Sequence, residues 1–182
     1  MAEMSDLDLL VEAVLSGGRY RAVNPELVRR IGERELAVRK SFKEAVKATR
    51  SRLHQVGGAY QEKPIDYGAY AQMLEGLPDD LADPTVRAFC TRLLAEHTST
   101  RERLSIMESF YETLLKPLQP ITSIADLACG LNPLALPWMP VSPETRYYAC
   151  DIYSDMLSFI RLFFDHFSQP IQVDLCDLTD FI

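Results

Sequence analysis

Apolar positions in the first half of the chain recur at helical spacing, whereas in the second half they gather into short runs that read as buried strands. Residues 7–15 predict an apolar helix closed by Gly17 and Gly18. Asn24 and Pro25 predict the start of a second, because an Asn cap and a proline in the first turn suit the unbonded N–H groups there. Ser41-Phe42-Lys43-Glu44 is a capping box for a third, closed by Gly57 and Gly58. On this helix Phe42, Val46 and Leu53 turn inward, while Lys43, Lys47 and Arg50 recur on the other face.

Asp83 and Pro84 cap a further helix after the turn at 76–80, and its stripe Val86, Phe89, Cys90, Leu93 and Leu94 reads as core. Ser99-Thr100-Arg101-Glu102 is a second capping box. It predicts one continuous helix carrying Leu104, Met107, Tyr111, Leu114 and Leu115. The segment 154–167, with Met156, Leu157, Phe159, Ile160, Leu162, Phe163, Phe164 and Phe167, is apolar almost all round and predicts burial between layers.

The apolar run 121–125 leads into Asp126-Leu127-Ala128-Cys129-Gly130-Leu131-Asn132-Pro133, followed by the apolar stretch 134–139. That order predicts a strand, a tight glycine turn and a helix start, whose backbone N–H groups and positive end can approach an anionic or polar ligand. A second strand over 146–152 places Asp151 twenty-one residues after Gly130, where a carboxylate can take both hydroxyls of a ribose. A third strand over 171–177 again ends in an acid, Asp177. With no Lys-Ser/Thr phosphate motif, these features in this order point to S-adenosylmethionine rather than ATP. Against the usual glycine pattern of such sites the chain has Asp126, Ala128, Gly130 and Asn132, so one of three glycines is present. The fold class expected is α/β: an N-terminal helical subdomain, 1–96, followed over 97–182 by a partial, truncated Rossmann-like methyltransferase sheet.

At 182 residues and 47% hydrophobic content the chain can bury one core and a smaller satellite. No run approaches the roughly 18 apolar residues of a membrane span, and the acidic start does not resemble a signal peptide. The expectation is no membrane partner and a cytoplasmic protein. Cys90, Cys129, Cys150 and Cys176 form no CxxC pair, which suggests reduced thiols. The last three fall near predicted strand ends, where a small hydrophobe fits better than a metal ligand. Of the histidines, His54 and His166 sit on helical patterns without a catalytic role, and His97 reads equally as a solvated loop residue or a functional one.

Net charge is −7, yet residues 19–63 hold 12 Lys and Arg against five acids, +7, which leaves −14 on the other 137 residues. Such segregation suits a local phosphate-binding footprint on an otherwise acidic enzyme. Arg29, Arg30, Lys43, Lys47 and Arg50 are its candidate RNA contacts.

The stretch from Asp126 to Met139, with His97-Thr98-Ser99-Thr100-Arg101-Glu102-Arg103-Leu104 upstream, resembles the aminoglycoside-resistance 16S ribosomal RNA (guanine-N7) methyltransferases. The likeness runs over most of the chain. It implies S-adenosyl-L-methionine as cofactor, the 30S subunit as partner, and methylation of N7 of a guanine in the decoding site. It also implies Arg103, Ala128, Gly130, Asp151 and Asp177 as cofactor positions, with Leu178 lining the adenine and Asp126 ordering the turn. Arg101 and Arg103 share the expected first turn of one helix, where a cation opposes the dipole. Either could hold the methionine carboxylate, and Arg103 is the favoured choice. No catalytic side chain is named, since displacement by the N7 lone pair needs alignment and no general base.

Three strands are less than half of a doubly wound methyltransferase sheet. The chain is therefore expected to be the N-terminal portion of such an enzyme, inactive alone, with its target-base residues after Ile182. Its bare first strand, flanked by Ile121, Ile124 and Leu127, is expected to drive self-association. The rival readings are a methyltransferase acting on a small molecule or protein, and an RNA-binding module without enzymatic activity.

Overall fold

The computed structural model describes residues 4–58 and 64–178. Its contacts group the chain into two compact units: Met1–Ala59 with Ile152–Ser154 and Cys176–Ile182, and Tyr60–Asp151 with Asp155–Leu175. The helices over 67–94 therefore group with the sheet and not with the N-terminal helices.

The first unit is built on α1 (Asp6–Leu15), α2 (Pro25–Val38) and α3 (Phe42–Leu53). The second and third start at the caps the sequence signals, and α1 starts after Ser5. Ser5, Asn24 and Ser41 accept backbone N–H groups of Asp8, Glu26 and Glu44, satisfying donors that the first turn leaves unbonded. Leu10, Val14, Val23, Leu27, Val28, Ala45 and Leu53 form the core, with Ile152 and Tyr153 packed against it. Gly32 of α2 lies so close to Leu10 that a side chain there would collide with it. After Leu53 the helix widens into a π turn, His54–Gly58, and Gly57 abuts the Tyr153 ring. Phe42 does not turn inward; it is exposed, because at the first position of α3 it precedes the stretch that packs on α1 and α2.

The second unit holds α4 (Tyr67–Glu75), α5 (Pro84–Leu94), α6 (Thr98–Arg101), α7 (Met107–Leu115), β1 (Ser123–Leu127), β2 (Arg146–Asp151), α8 (Ser154–His166) and β3 (Ile171–Leu175). The strands pair in parallel in the order β1-β2-β3, with Asp126 opposite Ala149 and Ala149 opposite Val173. Tyr147, Ala149 and Val173 are buried on the face covered by α8, where the Tyr147 and Phe164 rings meet edge to face at 5.3 Å. Phe159 of α8 gathers Tyr67, Tyr70 and Phe89 around it, at centroid distances of 5.6, 6.4 and 6.5 Å. The predicted all-round burial of α8 fails at Leu162 alone among its apolar residues, which is half exposed.

On the opposite sheet face Leu127 and Tyr148 are exposed. Among the described residues β1 is an edge strand. Truncating Phe159 to Ala removes the ring at the centre of the aromatic cluster. It is expected to cost about 3–5 kcal/mol in denaturant unfolding, whereas Leu162→Ala, on the exposed side of the same helix, should cost under about 1 kcal/mol.

Candidate cofactor site

The carboxyl ends of β1 and β2 form the site's frame. After Leu127 the chain reverses through Ala128 (φ 51°) and Gly130 (φ 50°), both in the left-handed region, so the turn is too tight for ordinary extended backbone. Cys129 N–H donates to the Cys150 carbonyl at 3.0 Å, and Gly130 N–H donates to Asp151 Oδ2 at 2.9 Å. The predicted glycine turn and ribose acid are thus in direct contact. Past the turn, Asn132–Trp138 forms a 3-10 helix in place of the expected α-helix. Pro137, inside the segment, lacks the N–H group an α-helix would need there, so no long helix dipole points at the turn.

A buried polar network braces this turn from below. Asp126 Oδ2 accepts Asn132 Nδ2 at 2.7 Å and the Tyr147 hydroxyl at 2.6 Å, and Asn132 Oδ1 in turn accepts the Tyr111 hydroxyl. Asp126 therefore faces protein donors and orders the turn, as its position after an apolar strand suggested. Burial pushes its carboxyl above the ordinary range, against the lowering effect of the Asn132 and Tyr147 hydrogen bonds. Burial likewise pushes the Tyr111 hydroxyl up to about 12 and the Tyr147 hydroxyl higher still.

The sequence pattern did not expose this network. Tyr111 read as one member of an apolar stripe and Asn132 as a missing glycine. The available signal was that an amide two residues after the turn glycine can reach back to the strand-end acid.

The expected continuous helix after Ser99 is broken, and this changes the account of both arginines. His97, not Ser99, is the N-cap of α6, and the capping box does not form; the Ser99 hydroxyl instead meets His97 Nδ1 at 3.0 Å. Buried Thr100 ties back by its hydroxyl to the carbonyls of Leu94 and His97, ending the helix after one turn. A 3-10 turn, Leu104–Ile106, precedes α7, on which Tyr111 is buried but Leu114 is exposed. Arg101 ends α6 and is exposed; Arg103 lies in the break and is half buried, so the argument from an opposing helix dipole does not apply to either. Arg103 Nε donates to the Ser99 carbonyl at 3.1 Å, and its guanidinium lies 5.4 Å from the Phe110 ring centroid. Its charge reaches His97, Tyr111 and Asp126, which places it beside the turn.

His97 itself packs against Gly130. A Cβ on Gly130 would lie 3.2 Å from its Cε1 and 3.5 Å from its Nε2. Burial lowers the His97 pKa below its ordinary 6.5, Asp151 opposes that shift and Arg103 adds to it.

The remaining candidates lie in the first unit. Asp177 is buried and ion-paired with Arg30, and Leu178 is half buried. Arg29 pairs with Asp8 at 2.7 Å, and Arg50 donates to the Ala13 carbonyl at 2.6 Å while its buried Nε has no hydrogen-bond acceptor among the described residues. Lys43, Lys47 and Arg50 line one groove of about 450 Å³, floored by Ala13, Phe42 and Val46. A second groove of about 480 Å³ between α2 and α3 carries Lys47, Arg39 and Arg52 beside Glu35, whose carboxyl is held below its usual range chiefly by the Arg39 hydrogen bond.

Cys129 and Cys150 are buried thiols, and burial raises the Cys129 thiol far above its ordinary value. Among the described residues no group of His, Cys, Asp and Glu is arranged to hold a metal. No helix there is long and apolar enough to cross a membrane.

A family model described as ribosomal RNA methyltransferase (FmrO) matches residues 16–180. A 16S rRNA (guanine(1405)-N(7))-methyltransferase from Micromonospora echinospora is 38% identical over 156 residues, covering 85% of this chain and 57% of the relative. The chain thus spans little more than half of that curated relative's length. Among solved structures, the 16S rRNA methylase RmtB aligns with a TM-score of 0.77 at 29% identity, over 98% of this chain and 67% of the other. The 16S rRNA methyltransferase RmtF, in complex with S-adenosyl-L-homocysteine, aligns with a TM-score of 0.76 at 28% identity, over 98% and 65%.

Two measurements follow from the network. Asp126→Ala strands the Tyr147 hydroxyl and the Asn132 amide, and is expected to cost about 2–3 kcal/mol in denaturant unfolding; Asp126→Asn keeps an acceptor and should cost clearly less. For His97 the folded state binds its proton more weakly than the unfolded chain, so its contribution is present above pH 6.5 and is lost on acidification below it. Melting temperature should fall between pH 7.5 and 5.5, and His97→Phe should flatten that fall.

Proposed function

Because the chain belongs to the FmrO family of ribosomal RNA methyltransferases, we propose that it serves the transfer of a methyl group from S-adenosyl-L-methionine to N7 of a guanine in the decoding site of 16S rRNA, and so aminoglycoside resistance. The observation that carries this reading is the turn after β1, where Gly130 N–H sits on the carboxylate of Asp151 at the end of the neighbouring parallel strand. Crevices at the carboxyl ends of parallel strands are where α/β sheets take nucleoside ligands. The donor set fits such a ligand: an aimed carboxylate for ribose hydroxyls, an arginine beside the turn for a carboxylate, and left-handed backbone that lets the ligand approach.

The proposed cofactor residues are Arg103, Ala128, Gly130, Asp151, Asp177 and Leu178. When bound, the cofactor supplies a methyl group on a sulfonium centre. The protein's work is alignment, because N7 of guanine offers its lone pair without losing a proton. Asp126, Asn132, Tyr111 and Tyr147 keep the turn rigid for that purpose.

The proposed RNA contacts are Arg29, Arg30, Lys43, Lys47 and Arg50, on the 30S subunit as partner and in the cytoplasm. Lys43 and Lys47 are exposed and engaged in no ion pair or hydrogen bond among the described residues, so they can meet phosphates directly. Arg29 and Arg30 must first exchange their carboxylate partners. The exposed apolar residues of the sheet, Leu127 foremost, support self-association along the β1 edge.

Asp151→Ala is expected to weaken S-adenosyl-L-homocysteine binding by roughly 2 kcal/mol, the scale of hydrogen bonds to a charged group; calorimetry showing parental affinity would remove Asp151 from the site. Lys43→Glu with Lys47→Glu should weaken 30S binding and flatten its dependence on log salt by about one unit per lost phosphate contact. Unchanged slopes would make these ordinary surface charges. Leu127→Lys should shift sedimentation toward the monomer if the β1 edge is the contact.

A further inference from the structure

We propose that His97 is a positioning residue of the cofactor site: its ring is the wall that seats Gly130 so that the Gly130 N–H remains on Asp151, aiming that carboxylate before the ligand arrives. This rests on the reading of Asp151 as the ribose acid. Gly130 holds a left-handed conformation, φ 50°, and without a side chain of its own it relies on neighbours to hold it there. The neighbour is His97, whose Cε1, Nε2 and Nδ1 lie 3.2, 3.5 and 3.7 Å from where a Gly130 Cβ would stand.

The ring is fixed from two sides. Its backbone caps α6, receiving the Arg101 N–H on its carbonyl at 2.9 Å, and Nδ1 meets the Ser99 hydroxyl at 3.0 Å. Asp151 lies within electrostatic reach of the ring, as does Arg103. One imidazole therefore touches the turn and senses both its carboxylate and the proposed methionine-carboxylate cation. A neutral ring leaves the Asp151 carboxylate on Gly130 N–H, whereas a charged ring would compete for it.

This assigns the histidine of the His97-to-Leu104 segment to the turn itself and makes a larger residue at Gly130 costly. A methyl group there would stand 3.2 Å from the ring, which would have to give way, in addition to the strain of its positive φ.

The test has one arm without ligand and one with it. In the cofactor-free chain, hydrogen exchange of the Gly130 amide read by NMR should speed up at least about tenfold in His97→Ala and stay near parental in His97→Phe, which keeps the wall. Parental exchange in His97→Ala overturns the proposal. With S-adenosyl-L-homocysteine in calorimetry, His97→Ala should bind about tenfold more weakly, and in an Asp151→Ala background the same substitution should change affinity little, because both act through one carboxylate. Fully additive losses, or loss in His97→Phe equal to that in His97→Ala, also overturn it. If Asp151→Ala alone binds at parental affinity while His97→Ala speeds exchange, then the ribose reading fails and the wall stands.

Discussion

One half-buried carboxylate sets the geometry of the turn at the carboxyl end of β1. Asp126 ends β1 where a parallel strand must stop and reverse, and its Oδ2 accepts two donors that come from different directions: the Asn132 amide from beyond the turn and the Tyr147 hydroxyl from β2. The Tyr111 hydroxyl, from α7, closes the chain of bonds onto Asn132. Three elements, α7, β1 with its turn, and β2, are thereby tied together through Asp126 and Asn132. An apolar residue at 126 could fill the space but would leave a hydroxyl and an amide buried without acceptors. A strained turn containing two left-handed residues persists only where its surroundings over-determine it, and this network is what does so.

Competing electrostatic effects at the turn resolve in favour of burial. At Asp126 two hydrogen bonds and the Arg103 charge favour the ionised form, yet the carboxyl is held above its ordinary range because desolvation is the largest effect. At His97 the nearby Asp151 favours protonation, but burial and Arg103 together outweigh it. A low-dielectric pocket strengthens every remaining polar contact inside it. A braced turn of this kind suits the alignment proposed for methyl transfer. Pre-organisation of this kind lowers the ordering cost of binding and leaves more of the contact energy as affinity.

What could be read from the sequence was what local physics decides. Helix caps at Asn24, Ser41 and Asp83 form as their residue types require, and the glycine turn and Asp151 fall at the carboxyl ends of β1 and β2, whereas β3 stops at Leu175, two residues before the expected Asp177. The residues that misled are those whose neighbours decide. Ser99 and Glu102 satisfy the capping-box pattern, but Thr100 finds the Leu94 and His97 carbonyls and the helix stops. Phe42 and Leu114 fit an inward stripe by spacing, yet the surfaces that would cover them are absent from their faces among the described residues. His97 stood undecided because no sequence spacing relates it to Gly130, thirty-three residues on; only the fold brings the ring to the glycine.

Charge is arranged on the opposite principle to the turn, by exposure instead of burial. The excess of 12 cations over five acids between residues 19 and 63 is not uniformly available. Glu35, buried in α2, holds Arg39 at 2.7 Å and Arg52 at 3.5 Å, and Asp8 holds Arg29. These pairings fix helix faces and remove charge from the footprint that net charge alone would suggest. The groove between α1 and α3 escapes this cancellation: Lys43, Lys47 and Arg50 line it with no acid among its walls, above a floor of Ala13, Phe42 and Val46. Phosphate affinity depends on cations that are clustered and unneutralised, so the proposed RNA footprint is narrower than the basic segment and is centred on α3. The buried Arg50 Nε, without an acceptor among the described residues, adds a donor that an anion in this groove could satisfy. A small site on a chain of net charge −7 can thus attract a polyanion while the acidic remainder discourages binding elsewhere on its surface.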